Sequence, residues 1–98
     1  MKLVFDDRAL GDLAAIHEWI AKENPRAAKA VVERLFASIE HLASFPHMGH
    51  AGRDEGTREW VVPRLPYIVI YEIHPDRDEI IVIAVVHGAQ EQPADIER

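Results

Sequence analysis

Gly56-Thr57-Arg58-Glu59-Trp60-Val61-Val62-Pro63-Arg64-Leu65-Pro66-Tyr67-Ile68-Val69-Ile70-Tyr71 is the stretch that decides how this chain folds. It reads as two strands joined at a proline-flanked turn, because Val, Ile, Tyr and Trp fit a pleated, half-buried surface. The second strand is apolar at every position from Tyr67 to Tyr71, so both of its faces call for cover. Only two helical patterns precede it, enough to shield one face of a small sheet. The other face must meet water, the chain's own tail or a partner, and a partner is the expectation. The alternation leaves open which face the helices take, since Tyr67-Val69-Tyr71 and Ile68-Ile70 are both apolar.

Upstream, Lys2 to Phe5 is a short strand candidate, with Leu3 and Phe5 on one side and Val4 on the other. Asp6 or Asp7 can cap the helix that follows, because a short carboxylate accepts the unpaired N–H groups of a first turn. Leu10, Leu13, Ile16 and Ile20 then recur at helical spacing, flanked by Trp19, with Glu18 and Lys22 set for an i,i+4 pair. Asn24-Pro25 starts a second helix: Asn caps, and Pro at the first helical position has its φ already set. Its stripe is Val31, Val32, Leu35, Phe36, Ile39 and Leu42, and Phe45-Pro46 ends it, since a residue before Pro is driven out of helical geometry. So short a break between helices makes an antiparallel hairpin.

Downstream, His47 to Gly56 reads as a loop with Gly49, Gly52 and Gly56. Strands are expected at about Arg58–Val62, Tyr67–Ile73 and Glu79–His87. Their connections are short enough that neighbours pair antiparallel. Residues 88–98 read as a polar, loosely held tail. The expected fold is α+β in the order β-α-α-β-β-β, a helical hairpin packed on one face of a small, largely antiparallel sheet.

The chain of 98 residues is 48% hydrophobic, the composition of one globular domain. It has no cysteine, so disulfides and thiolate chemistry are excluded. The N-terminus reaches Asp6 and Asp7 too early for a secretory leader, and no apolar run is long enough to span a bilayer. A cytoplasmic protein is expected. A net charge of −6 argues against strong direct binding of nucleic acid, whose phosphates call for clustered Lys and Arg. His41, His47 and His50 lack a Cys or a clear carboxylate companion, so neither metal nor cofactor is expected. The glycines at 49, 52 and 56 precede no helix and no Lys, so they are not a phosphate cradle.

Several pieces in register resemble the ParE/RelE superfamily of bacterial toxins from type II toxin–antitoxin systems. They are Asp12-Leu13 with Ile16 and Ile20, Asn24-Pro25 with Ala27-Ala28, Leu42 with Phe45-Pro46 and Gly49, Gly56-Thr57-Arg58-Glu59, Tyr67 to Tyr71, and Ile83 to Gly88. The ParE branch, tied to plasmid stabilisation, fits better than the RelE branch. The resemblance implies a toxin held inactive by a cognate, ParD-like antitoxin that wraps it with a helix and an extended strand. It implies DNA gyrase as the target in the ParE branch, and ribosome-dependent cleavage of mRNA in the RelE branch.

A nuclease of the RelE type needs a base, an acid and phosphate-binding cations. His87, Tyr67, Tyr71 and Arg58 are the available catalytic parts, with Glu59 and Arg64 nearby. Nuclease relatives carry a basic residue where this chain has Tyr67 and Ile68, and a basic or aromatic cluster where it has Gly88 to Gln92. Stoichiometric binding to the target, without turnover, is therefore the favoured reading, and an endoribonuclease the alternative. A non-toxic binding module on the same fold is the third. For binding a partner the candidates are Arg58, Trp60, Arg64, Tyr67, Tyr71 and His87, because Arg and aromatic side chains dominate interface energetics. Arg58 could equally form a structural ion pair with Glu59, Glu72 or Glu79.

Overall fold

Two capping residues set the helical hairpin. A computed structural model describes residues 1–88. In it Asp6 closes strand β1 (Lys2–Phe5) and caps helix α1 (Asp7–Ala21), its carboxylate accepting the Arg8 N–H at 3.4 Å. Asn24 caps helix α2 (Pro25–Ser44), its Oδ1 accepting the Ala27 N–H at 3.0 Å, and Pro25 opens the first turn. Phe45 ends α2 just before Pro46, as the sequence predicts. Ala9 and Leu13 of α1 and Ala28, Leu35, Ile39 and Leu42 of α2 are buried. Each larger one contributes about 1.5–3 kcal/mol by leaving water. Leu10, expected in the buried stripe, is 47% exposed, because the helix turns Ala9 rather than Leu10 toward the sheet. The expected Glu18–Lys22 pair is also absent: the Lys22 ammonium lies 5.6 Å from the Trp19 ring centre instead.

The sheet has five strands in the order β1-β5-β4-β3-β2, formed by β2 (His50–Ala51), β3 (Arg58–Val61), β4 (Tyr67–His74) and β5 (Glu79–His87) besides β1. Only β1 with β5 is parallel; the other pairs are antiparallel. The loop expected from His47 to Gly56 thus contains a two-residue edge strand, in which His50 faces Glu59 and Ala51 faces Arg58. Such a strand is too short to show any alternation in sequence. The face left open by the sequence is settled by burial. Tyr67, Val69 and Tyr71 join Leu13, Leu35, Ile39 and Leu42 in one core cluster, and Ile68 and Ile70 point the other way, half-buried. Ile81 and Ile83 share that second apolar face. The expected tail beyond Gly88 lies outside the described residues.

One irregularity shapes the end of the sheet. Tyr71 pairs with Val82 but Ile70 with Ala84, so Ile83 is an extra residue in β5, a β-bulge. The bulge keeps Ile80 and Val82 before it, and Val85 and His87 after it, opposite the helix-facing residues of β4. It also falls where β1 stops, since Phe5 pairs with Val82 and the Asp6 N–H bonds the Val82 carbonyl at 2.9 Å. Beyond that point β5 continues with no strand on its outer side among the described residues. The Val85 N–H is taken by a side chain instead, Asp12 Oδ2 of α1 at 2.9 Å.

Candidate partner-binding site

The candidate residues form two pairs along β4, with Trp60 between them and Arg64 at the β3–β4 turn. Midway along β4 stand Arg58 and Tyr71, directly opposite each other on β3 and β4. The Arg58 guanidinium turns inward and Nη2 donates to the carbonyls of His47 (3.2 Å) and Gly49. None of Glu59, Glu72 or Glu79 pairs with it, and Nε is sealed from water with no acceptor. The Tyr71 side chain is fully buried; its O–H donates to the Pro46 carbonyl at 2.7 Å and its oxygen accepts the Gly49 N–H at 3.1 Å. Together the two side chains fasten the segment after α2 to the sheet. Gly49 is needed there, because a Cβ would lie 2.7 Å from the Glu59 carbonyl oxygen and 2.8 Å from the Tyr71 hydroxyl.

At the start of β4 and the end of β5 stand Tyr67 and His87, again cross-strand partners. Their rings meet edge to face, 5.4 Å between centroids at 83°. They line a cleft of about 580 Å³ that opens between α1 and the outer edge of β5. Val85 and Val86 complete its sheet side. Arg8, Asp12, Ala15, Ile16 and Trp19 form its helix side, a set that recurs at helical spacing and so shares one face. Trp19 is 72% exposed although it is the largest apolar side chain of α1. Arg8 Nε lies 3.5 Å from Asp12 Oδ2, an exposed guanidinium beside a half-buried carboxylate. Burial in this corner raises the Tyr67 phenol above its ordinary value.

Trp60 is half-buried and packs on the core cluster beside Val69. Arg64 is exposed at the β3–β4 turn with φ 67°, a left-handed conformation that glycine adopts more readily. That turn is braced on both sides: Arg34 Nη2 donates to the Pro63 carbonyl at 3.3 Å and the Gly88 N–H to the Pro66 carbonyl at 2.8 Å. The structure therefore does not gather His87, Tyr67, Tyr71 and Arg58 at one point. Tyr67 and Tyr71 are four residues apart on one strand, about 13 Å at the rise of a β-strand. Sequence reasoning passed over Arg8 and Asp12 as site residues and read Trp19 only as the flank of a stripe. The signal was a large aromatic just off the apolar face of α1, four residues after Ala15 and seven after Asp12.

Comparison with known proteins agrees with this architecture. The family model for the ParE toxin of the type II toxin–antitoxin system parDE matches residues 3–92. The chain is 38% identical over 86 residues to the toxin-named protein Y4kP of Sinorhizobium fredii, covering 88% of this chain and 86% of that one. It is 33% identical over 90 residues to Toxin RelE2 of Caulobacter vibrioides, covering 91% and 97%. Among solved structures, a chain of the chromosomal ParDE system from P. aeruginosa superposes with a TM-score of 0.78 at 20% identity, covering 89% of this chain and 95% of that one. Sequence match and fold converge: this chain belongs to the ParE toxin family, within the ParE/RelE superfamily of type II toxin–antitoxin toxins.

Proposed function

We propose that this toxin acts in the cytoplasm by stoichiometric binding to DNA gyrase and is held inactive by a cognate, ParD-like antitoxin. The observation that carries this reading is the fate of Arg58. A phosphate-cleaving site needs a cation free to meet charge that develops on the phosphate. The guanidinium best placed on the sheet is instead turned inward onto the carbonyls of His47 and Gly49. Tyr71 is likewise engaged by Pro46 and Gly49. What remains accessible is a cleft with an exposed tryptophan, the furniture of a binding surface.

One observation favours the second reading, an mRNA endoribonuclease acting on the ribosome: Tyr67 and His87 adjoin each other in the cleft, as an acid–base pair would. Two assays separate the readings. Purified toxin added to gyrase is expected to inhibit supercoiling in proportion to its molar ratio, and added to ribosomes with mRNA it is expected to leave the message intact. Cleaved message with unimpaired supercoiling would reverse the assignment. Growth unaffected by expression of the toxin alone would instead favour the non-toxic binding module.

A further inference from the structure

Arg64 holds a left-handed backbone that nothing in its own side chain explains. Among the described residues two non-glycine residues have positive φ, Arg64 at 67° and Asp78 at 53°. A short carboxylate tolerates that conformation by bonding locally, whereas a long cationic side chain gains nothing from it. Glycine would sit at position 64 with less strain. The turn that imposes the conformation is held firmly: the Val62 N–H bonds the Tyr67 carbonyl at 3.0 Å and the Leu65 N–H the Val62 carbonyl at 3.3 Å. Arg34 and Gly88 brace Pro63 and Pro66 from either side. A backbone outlier so fixed, at an exposed residue, implies a use for the side chain it carries.

Arg34 makes this corner doubly cationic. Its Nη2 donates at 3.3 Å to the carbonyl of Pro63, the residue before Arg64, and its remaining donors stay available. Neither arginine is ion-paired among the described residues. On α2 the positions three and four residues from Arg34 are Ala30, Val31, Ala37 and Ser38, so no acid of its own helix is set to reach it. Glu33 lies beside Lys29 instead, and the turn from Val61 to Pro66 carries no acid. In a chain of net charge −6 this is a local exception. Neither arginine lines the cleft of Tyr67 and His87, so the corner is a surface of its own.

Two exposed guanidiniums call for oxyanions. Nucleic-acid phosphates fit poorly, because two contacts release few counterions and the rest of an acidic chain repels the backbone. Carboxylates on a protein fit well, since each pairs with one guanidinium in two-point fashion. A turn tip is also convex, the shape that enters a recess of a larger protein, whereas an extended antitoxin segment lies along a strand edge or a groove. We propose that Arg64 and Arg34 form a docking corner for acidic side chains on the target protein. The inference rests on the reading above, in which the toxin binds gyrase stoichiometrically, and adds the surface and the chemistry of that contact.

The test pairs inhibition of gyrase supercoiling with thermal denaturation of the full-length toxin. Arg64→Gly relieves the left-handed backbone and deletes the guanidinium. Its unfolding temperature is expected to hold or rise, while the toxin needed for half-inhibition rises about ten-fold. High salt is expected to narrow that gap, because screening weakens an exposed charge contact. Arg64→Lys keeps the charge without the planar fork and is expected to fall between the two proteins. Arg34→Gln is expected to weaken inhibition about three-fold. Calorimetric titration with the product of the adjacent reading frame is expected to give Arg64→Gly the antitoxin affinity of the wild type. Wild-type inhibition by Arg64→Gly would overturn the proposal while leaving gyrase as the target. A lowered unfolding temperature in that variant would overturn it by making the arginine structural. Antitoxin affinity lost with inhibition kept would overturn it and assign the corner to the antitoxin. Retention of the toxin on DNA without gyrase, lost in Arg64→Gly, would overturn it in favour of phosphate. Gyrase unaffected by the wild type would overturn the gyrase reading itself, and this inference with it.

Discussion

Tyr71 and Tyr67 occupy the same face of the same strand, and their hydroxyls meet opposite fates. Tyr71 is fully buried and its hydroxyl both donates and accepts, to Pro46 and from Gly49. Tyr67 is almost as deeply buried, yet its hydroxyl has no partner among the described residues and looks into a cleft. The cations follow the same division. Arg58 is bound to carbonyls beside Tyr71, and Arg64 projects into water at the turn beside Tyr67. One end of the sheet is closed by polar bonds that complete the fold, and the other leaves polar groups in reserve. Burial alone does not separate the two tyrosines; completed hydrogen bonding does.

The comparison breaks most visibly at the closed end. Arg58→Ala removes the donor to two loop carbonyls and opens space beside Tyr71. A loss of about 3 kcal/mol is expected, since hydrogen bonds from a charged group contribute more than neutral ones. In a domain this size that lowers the unfolding temperature by more than about 10 °C, read by thermal denaturation. An Arg58→Ala variant that melts with the wild type would mean that the guanidinium is not fastening the loop.

Tyr71→Phe is the next largest effect. It orphans the buried Gly49 N–H and withdraws the donor from the Pro46 carbonyl, at a cost of about 2 kcal/mol in a denaturant titration. The pair Tyr71→Phe and Arg58→Ala sharpens the point, because both act on the segment from Pro46 to Gly49. Their combined cost is expected to fall short of the sum by at least about 0.5 kcal/mol, as for residues that share one structural unit.

At the open end the effects shrink. Asp12→Ala leaves the Val85 N–H facing the cleft, where water can replace the carboxylate. About 1 kcal/mol of stability is expected to disappear, the lower range for a bond to a charged acceptor that is partly hydrated. Amide exchange at Val85 gives the sharper readout: protection there should fall while protection at Val69, inside the sheet, is kept. Equal protection at Val85 in the variant and the wild type would remove Asp12 from the account.

Much of the fold was legible in local chemistry. Asn24-Pro25 and Phe45-Pro46 punctuate α2, and the connections of β3, β4 and β5 are too short for anything but antiparallel neighbours. Leu10 was misplaced because a helical stripe is read to within about one residue, and Ala9 is too small to compete with it in a hydrophobic count. The bulge at Ile83 could not be seen, since Ile80 to Val86 is apolar throughout and offers no alternation to interrupt. The site was legible only as residue types. Tyr67 and His87 were named without the helix wall that makes them a cleft, and Asp12 meets Val85 across 73 residues of sequence. Arg58 was read outward, toward a carboxylate; its acceptors are backbone carbonyls, present at every position and therefore silent in a sequence.

The smallest expected effect is the most pointed, because it concerns a hydroxyl with no hydrogen bond among the described residues. Tyr67→Phe should change stability at neutral pH by less than about 0.5 kcal/mol, since no hydrogen bond among the described residues is lost. The two proteins should part only in alkali. Desolvation raises the Tyr67 phenol above its ordinary value near 10.0, so the unfolded chain releases this proton before the folded one does. The contribution of Tyr67 is therefore complete below that ordinary value and declines as pH climbs from there through the raised one. All other groups are common to both proteins and cancel in the difference. Unfolding temperatures compared from pH 8 to 11, at round values chosen to straddle the ordinary phenol range, should show the wild type falling further than Tyr67→Phe. Parallel curves would mean that the phenol is as well solvated folded as unfolded, and the contrast between the two tyrosines would lose its physical basis.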